Sequence, residues 1–263
     1  MQDMLEAASA KLDMTRLLAA GAGLLVAILW SSSFALVKVI LPAVGPLTIA
    51  ALRYFTGFLL LLPVMAARHV ALRAISRGLW LRLLLLGFLN FALGNGAIFL
   101  SLKYLPATVA GFLGSLIPLL VLLGGLAWLH EVPSRRQWIG MIATLAGSFL
   151  FFWRGWQPVE RLGLLISLVG MVSFAAAAVL SREIARQRTL NTFALAALPL
   201  GLGGGLLLPV ALAVEGMPVL TPQVALVVSF LSLVNTTLGY LLYYRALRDL
   251  TALEMNVILN LMP

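Results

Sequence analysis

Eight times along its 263 residues the chain runs through an apolar segment long enough to cross a hydrocarbon layer of about 30 Å. The segments extend roughly from Leu17 to Val39, Leu47 to Ala67, Leu79 to Ser101, Ala107 to Leu129, Gln137 to Trp153, Leu162 to Ser181, Thr192 to Val214 and Val224 to Tyr244. Hydrocarbon offers no water to peptide groups, so segments of this length must close their hydrogen bonds internally as helices. Hydrophobic residues make up 62% of the chain and charged residues 10%, too apolar a mixture for a water-facing surface. The sequence therefore predicts an all-α polytopic membrane protein. A ninth segment begins near Ala252 and reaches Pro263 about halfway across the layer. A terminal carboxylate there would sit in hydrocarbon at a cost of several kcal/mol. The chain is thus expected to be truncated within its ninth helix, lacking about as many residues as the roughly 35 that separate Pro118 from Trp153.

One stretch is written twice. Residues Leu79 to Pro118 align without gaps on Val224 to Pro263 at a constant offset of 145. Leucine matches are expected by chance in such a composition. The pairs Asn90/Asn235, Gly94/Gly239 and Pro118/Pro263 carry more information, because an amide, a glycine and a proline each alter backbone hydrogen bonding or helix approach inside a span. A repeat of five helices must re-enter the membrane from the other side, so the predicted architecture is a ten-helix inverted repeat, five plus five. Residues 1–16 form a leader on the cytoplasmic side, 17–153 the first repeat and 162–263 an incomplete second one.

Charge sets the orientation. Thirteen of the 18 Lys and Arg residues fall on the side that holds the N-terminus: Lys11 and Arg16, then Arg68, Arg73, Arg77 and Arg82, Arg135 and Arg136, Arg182, Arg186 and Arg188, and Arg245 and Arg248. That asymmetry predicts a cytoplasmic N-terminus in a cytoplasmic (inner) membrane. The net charge of +9 is accounted for by these short breaks, so nucleic acid is not an expected partner; the bilayer and a small-molecule substrate are. The chain has no cysteine, which excludes disulfides, thiolate metal sites and cysteine nucleophiles.

Asn90 and Asn235 fall near the middle of symmetry-related helices, the depth at which inverted-repeat carriers bind substrate. Ser31, Ser32 and Trp30 bring hydroxyls and an aromatic ring to the outer half of the first helix, either to line a cavity or to pack helices closely. Tyr240 is deep enough to contribute an aromatic wall, whereas Tyr243 and Tyr244 lie near the boundary, where aromatic belts are routine. Ser115 and Asn260 are repeat partners, suited to interhelical hydrogen bonds or to a polar substrate, and Asn256 shares a helix face with Asn260. Asn95, five residues from Asn90, is expected on a different helix face. Pro118 and Pro263 are expected to kink helices four and nine at matched depths. Gly201, Gly203, Gly204 and Gly205 mark helix seven as flexible or closely packed. The only acid in a membrane run is Glu254, near the mouth of helix nine, so exchange or weakly coupled transport is expected rather than proton coupling. Arg53, the one basic residue deep in a span, has two readings: it holds a substrate carboxylate, or it satisfies carbonyls at a broken helix end.

Five motifs in order resemble the EamA-type branch of the drug/metabolite transporter superfamily. They are Trp30-Ser31-Ser32-Ser33-Phe34-Ala35 with Lys38, Ala51-Leu52-Arg53-Tyr54, Leu102-Lys103-Tyr104-Leu105-Pro106-Ala107, Ser115-Leu116-Ile117-Pro118-Leu119, and Glu131-Val132-Pro133-Ser134 with Gln137, Ile139 and Gly140. The family's first helix more often reads Trp-Gly-Ser-Asn-Phe, so Ser31 and Ser33 depart from it. The resemblance implies ten helices and export or exchange of small metabolites such as amino acids or drugs, without a cofactor. It also implies a structural or gating role for Arg53, since such carriers keep that arginine across different substrates. A flippase for a lipid-linked sugar is the alternative carrier, and a membrane enzyme or assembly factor the alternative class. Enzyme chemistry fits poorly, because His69 and His130 lie at helix ends with neither a second ligand at metal spacing nor an acid partner.

Overall fold

The computed structural model describes residues 2–101, 104–153 and 160–261, and every regular element among them is helical. Among these residues nine helices follow one another, besides a short 3-10 turn at Leu72–Ala74: α1 (Gln2–Ile40), α2 (Pro46–Ala67), α3 (77–101), α4 (107–129), α5 (Arg135–Phe152), α6 (Arg161–Gln187), α7 (Thr192–Glu215), α8 (222–246) and α9 (Ala252–Leu259). Residues 2–16, expected as a polar leader, continue α1 without a break.

Among the described residues, seven helices are long and apolar enough to cross a membrane, against the eight complete spans expected. The difference is α5, whose 18 residues open on Arg135, Arg136 and Gln137 and are less apolar for it. The chain is a multi-pass membrane protein. Its outward faces carry exposed Leu81, Leu150, Leu165, Val172 and Leu226, which in water would be a liability and in lipid are solvated.

Helix starts follow local chemistry. Ser134 with Gln137 and Thr251 with Glu254 form capping boxes at α5 and α9, while Pro46 and Pro222 occupy first turns, where a missing N–H costs nothing. The α4 helix is broken at Leu116 into Ala107–Ser115 and Ile117–Gly124, and Pro118 sits in the first turn of the second piece, as a kink there requires. Its repeat partner Pro263 lies outside the described residues. Both α3 and α8 pass through a π-helical segment, Phe88–Gly94 and Leu231–Leu238, at corresponding places in the repeated stretch. Sequence periodicity gave no sign of these.

The core lies where α7 packs between α2 and α3. Leu195, Ala196, Ala197 and Leu200 of α7 are fully buried, together with Leu83, Leu86 and Phe91 of α3 and Ala51 and Leu61 of α2. Gly87 and Gly203 make this crossing possible: a Cβ on Gly203 would run into the Gly87 carbonyl, and one on Gly87 would stand 2.8 Å from the Pro199 carbonyl. Close packing is therefore the role of the helix-seven glycines at positions 201, 203 and 204.

Each end of the bundle is tied differently. At the arginine-rich end, Glu131 after α4 accepts from Arg182 Nε of α6 at 2.8 Å and from the Ala252 backbone N–H at 3.2 Å. Arg182 also donates to the Leu247 carbonyl, Arg186 to Leu129 and Arg248 to Leu190. At the opposite end the Glu215 carboxylate of α7 takes the Leu47 and Thr48 N–H groups at the start of α2, at 2.9 and 2.8 Å, an anion on a helix N-terminus.

Candidate functional site

Between these ends lies a cavity of about 370 Å³ walled by α1, α2, α3, α4, α6, α8 and α9. Its size suits a small organic molecule. Most of the wall is apolar or aromatic, with Trp30, Tyr54, Phe174, Tyr240 and Tyr243 presenting rings and Asn90, Asn95, Asn256 and Asn260 presenting amides.

The rings are held by one another. Trp30 lies 4.9 Å from Tyr240 and 5.6 Å from Tyr243, centroid to centroid, and Phe91 bridges Tyr240 at 5.1 Å to Tyr54 at 4.7 Å. Tilted and edge-on pairs at these distances add to the stabilisation from burial alone. Four helices are thereby joined behind one wall. Gly239 admits the Trp30 indole, since a Cβ there would stand 2.7 Å from Nε1.

The two central asparagines do different work. Asn90 lines the cavity. Asn235 does not: it is fully buried, its Nδ2 donates to the Leu29 carbonyl and, at 3.1 Å, to Ser32 Oγ, while its backbone carbonyl accepts from Trp30 Nε1 at 2.8 Å. Asn235 as a substrate-binding candidate is corrected accordingly; it clamps α8 to α1 and positions Trp30. Its Oδ1 is buried with no hydrogen-bond partner among the described residues.

The α1 serines are reassigned as well. Ser33, not Ser31 or Ser32, is on the wall, and its hydroxyl bonds back to the Trp30 carbonyl at 2.6 Å. Ser32 bonds back to Leu29 at 2.7 Å and receives Asn235. Ser31 is half-buried off the wall, and Lys38 is exposed. Ser115 is buried with its hydroxyl on the Phe112 carbonyl at 2.6 Å, so its contribution to the site is its own carbonyl, which accepts from Asn260 at 3.3 Å. Tyr240, Asn260, Arg53 and Pro118 line the cavity as well.

Four further residues reach the wall that the sequence pattern does not assign to it. Asn95 donates to the Asn90 carbonyl at 2.8 Å and both line the cavity, because in a π-helical turn residues five apart fall on one face. Tyr243, assigned to a boundary belt, is buried against Trp30. Tyr54, the last residue of the Arg53 motif, donates to Asn95 Oδ1 at 3.2 Å, and Phe174 carries no distinguishing signal in the sequence.

Glu254, the acid expected near the mouth of α9, belongs to the helix cap: it accepts from the Thr251 N–H at 2.8 Å and from Arg16 at 2.5 Å. A second acid, Glu183, is buried on α6, which runs on to Gln187 rather than stopping at Ser181, and is paired with Arg82 at 3.0 Å and Trp128 Nε1 at 2.9 Å.

Comparison with known proteins gives a consistent picture. The model described as the EamA-like transporter family matches residues 17–153 and 161–263. Protein PecM of Dickeya dadantii (strain 3937) is 26% identical over 89% of this chain and 77% of its own length. An uncharacterized transporter of Bacillus subtilis (strain 168), YvbV, is 27% identical over 82% of this chain and 71% of its own. The uncharacterized inner membrane transporter YedA of Escherichia coli (strain K12) is 25% identical over 60% of this chain, a match that spans about half (51%) of YedA. A crystal structure superposes with a TM-score of 0.79 over 93% of this chain and 84% of that one, at 21% identity, and so shares the fold.

Proposed function

We propose, on the premise that the chain belongs to the EamA-like transporter family, that it is a secondary carrier moving a small organic metabolite across the cytoplasmic membrane by alternating access. The observation that carries this reading is the central cavity: seven helices converge on it, and one residue beyond Ser181 on its wall the Arg182–Glu131 pair ties α6 to the segments after α4 and α8. In this reading the pair is a gate on the cytoplasmic side, and the state in hand is closed there. Export then consists of opening that gate, admitting substrate to Trp30, Asn90 and Tyr240, and reclosing while the Glu215 end releases.

The inverted five-plus-five architecture, with residues 17–153 and 162–263 as its two parts and the N-terminus inside, belongs to the same proposal. It is supported by matched π-helical segments, by the break at Leu116 facing a turn after Leu259, and by a family model that matches two successive ranges. The test is transport by purified protein in liposomes, with Gly114→Trp as control. Gly114 lines the cavity with nothing within 4 Å of a Cβ placed there, so an indole fills the cavity without disturbing the helix. Uptake by the wild type that Gly114→Trp leaves undiminished would refute the cavity as the route.

A further inference from the structure

Among the described residues that line the cavity, Arg53 is the only formally charged one. It lies seven residues into α2, about 10 Å from the start of a helix long and apolar enough to cross a membrane. Its Nε donates to Thr236 Oγ1 at 3.0 Å and its guanidinium carbon stands 5.3 Å from the Tyr54 ring centroid. Beyond these contacts, its two terminal NH₂ groups meet no protein acceptor among the described residues, and no carboxylate shares the wall. The carbonyls of a broken helix, which a structural role would have it satisfy, are absent from its partners. A hydroxyl and a ring face do not neutralise a cation. The cavity therefore holds a net positive charge with the planar two-pronged edge of the guanidinium unengaged, the geometry that accepts a carboxylate bidentately.

The rest of the wall describes what the carboxylate is attached to. Trp30, Tyr240, Tyr243 and Phe174 offer ring faces and edges, and the cavity volume of about 370 Å³ admits one or two fused rings. An ammonium on the same skeleton would find amide oxygens there but no acid, and would sit with Arg53 in a site of low dielectric. A monoanion makes the site neutral, a zwitterion leaves it at +1, and an amine raises it to +2. We propose that the cavity selects small organic monoanions bearing an aromatic or apolar ring, the carboxylate held by the free edge of Arg53, over the zwitterion or amine of the same skeleton. This deepens the transporter reading and rests on it.

Three probes of one skeleton test the idea: phenylacetate, phenylalanine and phenethylamine, each titrated against detergent-purified protein by thermal shift and calorimetry. Phenylacetate is expected to bind at least tenfold more tightly than phenylalanine and phenethylamine not at all. Arg53→Gln should weaken phenylacetate tenfold or more, Arg53→Lys should retain part of the affinity, and Gly114→Trp should abolish it. Phenylalanine or phenethylamine binding as tightly as phenylacetate, and lost in Gly114→Trp, would overturn the anion preference while leaving a carrier. Phenylacetate binding that survives Arg53→Gln would overturn it too, as would failure of all three probes to bind. In the last case the carrier reading is judged separately, by spin-label distances across the Glu131–Arg182 pair, which need no ligand.

Discussion

Asn260 donates its side-chain amide to the backbone carbonyl of Ser115 at 3.3 Å, and the two residues are 145 positions apart, the offset at which the sequence repeats itself. In the inverted repeat proposed for this chain, two equivalent residues can touch only where the axis relating the copies passes between them. If alternating access exchanges the conformations of the two repeats, a pair on that axis is mapped onto itself and keeps its separation in both states. Spin labels at positions 115 and 260 should give a single distance distribution under all conditions, whereas labels on the exposed Val132 and Arg245, which flank the Glu131–Arg182 pair and leave it intact, should give two. Two populations at 115 and 260 would remove the inverted-repeat mechanism.

The Glu131 carboxylate serves both Arg182 and the Ala252 N–H, and both acidic and basic side chains are largely shielded, at 16% and 13% exposure. Losing one charged hydrogen-bonding partner of this kind costs about 2 kcal/mol, roughly a 30-fold shift in the ratio of closed to open. Glu131→Gln should therefore increase the labelling rate of Ser181→Cys from the arginine-rich side. An unchanged rate would show that the closure resides elsewhere.

Asn90 and Asn235 should separate in their effects. Asn90→Ala, on the wall, should weaken substrate binding about tenfold with little change in melting temperature, since substrate groups lose a partner worth about 1 to 3 kcal/mol. Asn235→Ala should lower the melting temperature, because it frees the Leu29 carbonyl and Ser32 and leaves a void behind Trp30. Equal loss of affinity with intact stability in both variants would contradict the assignment of Asn235 as a clamp.

Glu254→Gln should be nearly silent. Glutamine serves the capping box at that position as well as glutamate, and the Arg16 partner is 55% exposed, where an ion pair contributes at most about 1 kcal/mol. A collapse of transport in this variant, measured in liposomes with and without a pH difference, would make Glu254 a coupling residue rather than a cap.

Orientation is best probed at Val132 and Met217, each 83% exposed at opposite ends of the bundle. Gly45 is unsuited to the purpose, because a side chain there would strike the Glu215 carboxylate. With no native cysteine, Met217→Cys should react with an impermeant thiol reagent from outside the cell and Val132→Cys should not. The reverse pattern would overturn the orientation drawn from the arginines.

The sequence alone determined the class of the protein, the order of its helices and the expectation of a repeat. These follow from apolar length, charge placement and offset matching, all of which are local or periodic properties of the chain. Tyr240, Asn260, Arg53 and Trp30 were legible because polar and aromatic groups are costly inside a span and stand out against leucine. Which side each faces was decided by the tertiary structure. The π-helical turns of α3 and α8 shift the helical register, which moves Asn95 onto the wall beside Asn90, and hydrogen-bond states of i to i+5 leave no mark in hydrophobic periodicity. Likewise, whether Asn235 met a cavity or the backbone of α1 depended on how closely Gly239 let Trp30 approach, a distance between helices more than 200 residues apart in the chain.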